Sequence, residues 1–143
     1  MATTSLYTKF PKALANAEIN WIADTIKVAL VTSAYSPNQD VHGYFSDIVN
    51  EATGTGYTAG GATLVSKTVT QADASNKQTF DAADVAWPGS TITARYAVIY
   101  KSTGSGNSSP LIGYVDFGVD QASTSGTFQI QWNAAGIFTT SVA

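Results

Sequence analysis

Residues 91–101 read TITARYAVIYK, and this run limits the fold more than any other part of the chain. Ile92, Ala94, Tyr96, Val98 and Tyr100 alternate with Thr91, Thr93, Arg95, Ala97 and Ile99. A period of two sets successive side chains on opposite faces of a strand. Other β signals surround it. Residues 25–32 are rich in β-branched types and stop at Tyr35-Ser36-Pro37-Asn38, where proline and asparagine mark a turn. Further strands are predicted over 63–70, 77–87 (with a polar link at 81–84 and a stop at Pro88-Gly89), 111–117, 126–132 and 137–142. Helical signals are few. Residues 11–21 carry Ala, Leu and Glu behind a proline suited to a first turn, and Tyr44, Phe45, Ile48 and Val49 follow helical spacing within 41–52. The expectation is an all-β fold: a single-domain β-sandwich or barrel-like sandwich of about seven strands, with one or two short helices. At 143 residues one core is affordable and two are not, so residues 1–143 form one domain. Residues 1–20 are expected to form an extended N-terminal arm.

Composition narrows what such a domain does. Charged residues make up 12%, against roughly 25% in an ordinary soluble domain, while 19 Thr and 14 Ser supply hydroxyls instead. A net charge of −3 and a single arginine, Arg95, argue against nucleic acid as a partner. Without cysteine there is no disulfide scaffold and no Cys-ligated metal. Residues 1–10 have no basic start and no apolar run, and no apolar stretch is long enough for a spanning helix, so neither a secretory signal nor a membrane partner is expected.

Chemistry-bearing patterns are sparse. The single histidine, His42, sits in a polar stretch and reads as an exposed loop residue. The glycines at 54–61 have the spacing GxGxxxGG and lack the Lys-Ser/Thr ending of a phosphate loop; they read as positions that allow positive φ before a strand. Asp81 with Asp84, and Asp116 with Asp120, are the nearest approach to paired carboxylates. Aspartates at strand ends more often cap free backbone N–H groups. Trp21, Trp87, Trp132 and the tyrosines read as core or subunit contacts, with a carbohydrate-binding face as the competing reading. No catalytic, cofactor or metal residue is assigned, no small-molecule substrate is expected, and the chain reads as a non-enzyme.

Several phrases, in order, resemble a known family. They include Lys9-Phe10-Pro11-Lys12-Ala13-Leu14, Asp24-Thr25-Ile26-Lys27-Val28-Ala29-Leu30-Val31, Gly56-Tyr57-Thr58-Ala59-Gly60-Gly61 and Ala94-Arg95-Tyr96-Ala97-Val98-Ile99-Tyr100. Pro110-Leu111-Ile112-Gly113-Tyr114-Val115-Asp116-Phe117-Gly118 and Ile130-Gln131-Trp132-Asn133-Ala134-Ala135-Gly136-Ile137-Phe138 complete the run, which spans almost the whole chain. Together they are similar to small proteins encoded among the structural genes of tailed bacteriophages. The resemblance implies a virion component assembled in the bacterial host cytoplasm, foremost a capsid decoration (cement) protein. Its expected partners are the major capsid protein and other copies of itself. The alternative is a tail, neck or receptor-binding component with a carbohydrate-binding face. For the decoration reading, the segment 3–11 is expected to reach a neighbour, with Tyr7, Phe10 and Pro11 as interface residues. The opposing expectation is that these side chains fold back onto their own core.

Overall fold

The computed structural model describes residues 3–142. Its larger sheet holds β1 (Thr4–Leu6), β2 (Ile26–Val31), β3 (Ala62–Thr63), β6 (Val85–Lys101) and β7 (Leu111–Ile130), in the order β1-β7-β6-β2-β3. The smaller one holds β4 (Thr68–Ala72), β5 (Lys77–Asp81) and β8 (Phe138–Ser141), in the order β4-β5-β8. All pairings are antiparallel. The fold is an all-β sandwich, as the strand pattern predicts.

Two stretches expected to be separate strands are one. Residues 111–117 and 126–130 belong to a continuous β7, which stops two residues short of the expected end at 132, and Pro88-Gly89 lies inside β6 instead of ending a strand. Both sites are bulges: the β6–β7 ladder shifts register between Trp87 and Ser90, between Ser90 and Ile92, and between Ala94 and Tyr96. A bulge leaves a residue outside the ladder, so it tolerates proline, which has no N–H to donate.

The break at Arg95 revises the strict alternation read from the sequence. Ala94 faces Gln121 and Tyr96 faces Asp116, so Arg95 stands opposite Phe117, Gly118, Val119 and Asp120. One residue of slip exchanges the faces of a strand. Ile92, Ala94, Ala97 and Ile99 therefore share one core cluster, while Tyr96, Val98 and Tyr100 join the other. Strand β2 divides in the same way, with Ile26, Val28 and Leu30 against Ala29 and Val31. The larger sheet is thus covered on both faces, which explains why Ala97, Val98, Ile99 and Tyr100 are all buried in sequence.

One cover is the smaller sheet with a single helix, α1 (Phe10–Ala15). Pro11 lies in its first turn, and Phe10 and Ala13 sit three apart on the buried face. Ala17, at φ 59°, ends it. Phe80 and Phe138 stack at 4.5 Å between centroids, and the edges of Phe10 and Trp21 close on Phe138, each at 5.4 Å. The opposite cover is the 32–51 loop. Of the helix expected over 41–52, only a 3-10 turn at Phe45–Asp47 forms.

From Thr4 on, the expected N-terminal arm of residues 1–20 is not extended away from the domain; residues 1–2 lie outside the described residues. Thr4, Ser5 and Leu6 pair with Val115, Tyr114 and Gly113, and α1 follows directly into the core. Tyr7 is 0% exposed and Phe10 1%, which corrects the expectation that they face a neighbour. Only Pro11 of the three interface candidates is exposed. Burial of two large aromatic rings outweighs leaving them in water by roughly 1.5–3 kcal/mol each.

Candidate functional site

The loop over the outer face of the larger sheet is pinned along its length. Thr32 donates its N–H to Asn50 O (2.9 Å), and Ala52 to Leu30 O (2.8 Å). Phe45 stacks on Tyr100 at 4.0 Å and 12°, with its N–H donated to Ser109 O (2.8 Å). Leu111 donates to Gly43 O (2.9 Å), and the Gln39 side-chain amide donates to Leu6 O (2.6 Å).

Beneath this loop runs a polar chain. The Tyr7 hydroxyl donates to the Tyr35 hydroxyl (2.9 Å), which donates to His42 Nδ1 (2.8 Å). This direction follows from Asn38 N–H, which also donates to Nδ1 (3.3 Å) and makes that nitrogen an acceptor. His42 is therefore half-buried and structural, stacked on Tyr35, and not the exposed loop residue its setting predicts. Burial, followed by the bond it donates to Tyr35, pushes the Tyr7 phenol well above its ordinary range. Burial also pushes Tyr100 up to about 12.

Asp47 sets the loop's outer turn. Its carboxylate accepts the N–H of Gly43 (2.8 Å) and of Tyr44 (3.0 Å), and these bonds hold the carboxyl below its ordinary value. A depressed carboxyl adds stability above its unfolded pKa of 3.8 and loses it as pH falls through the folded value. Asp47→Asn is accordingly expected to melt below the parent at neutral pH, with the gap closing in acid. Paired thermal melts down the acid range check this; a gap independent of pH would show that the charge is not what matters.

This turn projects Val41 (62% exposed) and Tyr44 (42%) into solvent. Lys9 donates from Nζ to Val41 O (2.7 Å), and a cleft of about 190 Å³ beside Tyr44 is lined by Lys9, Lys12, Glu18 and Pro110. A second cleft, of about 370 Å³, adds Lys101, Asn107 and Ser108. Three of the chain's six lysines thus border one exposed aromatic ring. Exposed Pro11 lies on the adjoining helix. The turn is thus an apolar projection bordered by Lys9, Lys12 and Glu18, with Lys101 ion-paired to Asp24 (3.1 Å). Sequence reasoning missed Val41 and Tyr44, because the helical spacing of 41–52 drew attention to a face that never forms.

Asp81, Asp84 and Asp116 are each held by local partners. Asp84 Oδ1 accepts Trp132 N–H (2.9 Å), and Asp81 Oδ1 accepts Ala82 N–H (2.9 Å). Asp116 takes the N–H of Gly118 (2.8 Å) and the Arg95 guanidinium (2.7 Å), whose bond holds its carboxyl low. Asp81 and Asp84 thus take the capping roles expected of aspartate at strand ends, whereas Asp116 lies inside β7 and is ion-paired. Among the described residues no group of three His, Asp or Glu is placed to hold a metal ion. Trp21, Trp87 and Trp132 are all buried, with two indoles bonded to Asp81 O and Ala83 O, so none offers a stacking platform for a sugar. No family model, no curated protein and no solved structure matches the chain.

Proposed function

We propose that the protein is a non-enzymatic virion structural protein of a tailed bacteriophage: a capsid decoration protein that binds the major capsid protein beside other copies of itself and stabilises the shell. The virion setting follows the resemblance of its sequence phrases to tailed-phage structural proteins. The observation that carries the docking role is the pinned loop presenting Val41 and Tyr44 among Lys9 and Lys12. A preformed projection loses little conformational freedom on binding, and its lysines face outward from a chain of net charge −3. A protein that binds the assembled shell and not its dispersed subunits stabilises the shell by mass action.

The test uses purified undecorated shells. The parent protein is expected to bind at regular sites and raise the shell's melting temperature. Val41→Asp with Tyr44→Ala should weaken that binding by about tenfold or more, as loss of a central anchor does, without lowering the protein's own melting temperature. A parent protein that binds no shell would remove this reading.

A further inference from the structure

We propose that the outer edge of β7 over residues 121–130 is a self-pairing edge, along which two copies of this chain join antiparallel into one continuous sheet. Strand β1 covers β7 only at Gly113, Tyr114 and Val115. Beyond them β7 has β6 on one side and, among the described residues, no strand on the other. The far side of β6 in the same stretch is closed by the glycine-rich loop, with Thr91 donating to Thr55 O (3.0 Å).

The other edge strands, β1, β3, β4 and β8, are two to five residues long, whereas the open stretch of β7 runs for ten, from 121 to 130. Strands β1 and β3 are three and two residues long, and β4 is five residues between Lys67 and Asp73. Short length and flanking charge are the usual protections of an edge. Residues 121–130 contain neither a charge nor a proline, and none of the 23 residues after Asp120 has a charged side chain. Gln121, Thr127, Gln129 and Gln131 are exposed and neutral. A cleft of about 550 Å³ runs beside this edge, lined by Thr3, Phe117, Gln121, Phe128, Gln129 and Ile130. It has room for the side chains of an added strand.

Charge identifies the occupant as a second copy. Two chains of net charge −3 repel, so they associate with least opposition where both are uncharged. The one charged side chain lining the cleft, Asp116, is already paired with Arg95 (2.7 Å). Antiparallel pairing about a two-fold axis sets each edge against its own copy and closes after two chains. The pairing rests on the reading above for its partner, another copy on the same surface, and needs no shell for its test.

Sedimentation of the parent protein over a range of concentrations is expected to show a monomer–dimer equilibrium. Thr127→Lys with Gln129→Lys places cations on exposed positions of both copies and should weaken dimerisation by about tenfold or more. Thr70→Lys, on the exposed edge of β4, should leave it unchanged. Backbone amides over 121–130 should exchange with solvent more slowly in the dimer than in the double variant. A parent that stays monomeric at the highest concentration, or a double variant that dimerises as well as the parent, overturns the pairing. A monomer that still decorates shells defeats this inference alone, and a dimer that binds no shell defeats the docking role alone.

Discussion

Phe138→Ala is expected to remove about 3–5 kcal/mol of stability, the range for deleting a buried phenylalanine. Phe138 is buried between the sheets, stacked on Phe80 and met edge-on by both Phe10 and Trp21. The ring therefore ties together three separate parts of the chain: the smaller sheet, α1 and the segment after it. Its neighbours are rings held by strand pairing or by a hydrogen bond, as Trp21 is through its indole N–H to Asp81 O (3.2 Å). They cannot collapse easily into the space left. Domains have only about 5–15 kcal/mol in total, so the variant should lose roughly a fifth or more of its stability. Urea unfolding measures this, with Thr139→Ala, on the exposed face of the same strand, as the control. The control should change by about 0.5 kcal/mol or less. A loss below about 1 kcal/mol for Phe138→Ala would mean that the smaller sheet is not anchored through this ring.

Gly61→Ala should be as damaging for a different reason. Gly61 has φ +79°, and a β-carbon there would lie 1.8 Å from Val28 O and 2.7 Å from Ala29 Cα. Those atoms are backbone of β2, which is held between β3 and β6. Nothing nearby is a flexible side-chain end that could move aside. The expected cost is about 3 kcal/mol or more, combining left-handed strain with the shift of a central strand. Gly104→Ala separates the two effects. Gly104 also has a positive φ, +90°, but nothing lies within 4 Å of its added carbon. It should lose only about 1–2 kcal/mol. Equal losses in thermal melts of the two variants would show that the contact with β2 contributes nothing.

Strand β2 was legible in the sequence to within a residue, because a short β-branched run stopped by proline and asparagine has one reading. The long β6–β7 hairpin was not. Pro88-Gly89 and Gly118 are turn signals in any single sequence, and only the partner strand reveals them as bulges. Arg95 misled in a similar way: its run alternates faultlessly on paper, yet the phase reverses there because four residues of β7 loop out opposite it. The burial of Tyr7 and Phe10 depends on β1 meeting residues 113–115, a contact that no local pattern encodes. Val41 and Tyr44 escaped notice for a comparable reason. The loop carrying them is shaped by Asp47, Phe45 and the strands beneath, and not by its own helical periodicity.

The two ends of the chain both close ladders opened far away. Strand β1 is completed by residues 113–115, and β8 supplies the second partner of β5 at Lys77, Gln78, Thr79 and Phe80. During synthesis the ribosome therefore releases Tyr7 and Phe10 long before their strand partner exists. The ring of Phe80 waits for Phe138, 58 residues further on. Pairings this distant are slow to form and leave apolar surface open meanwhile. Folding of this sandwich therefore waits for residues 138–141, and a chain cut before residue 137 is expected to fail outright instead of yielding a half-built domain.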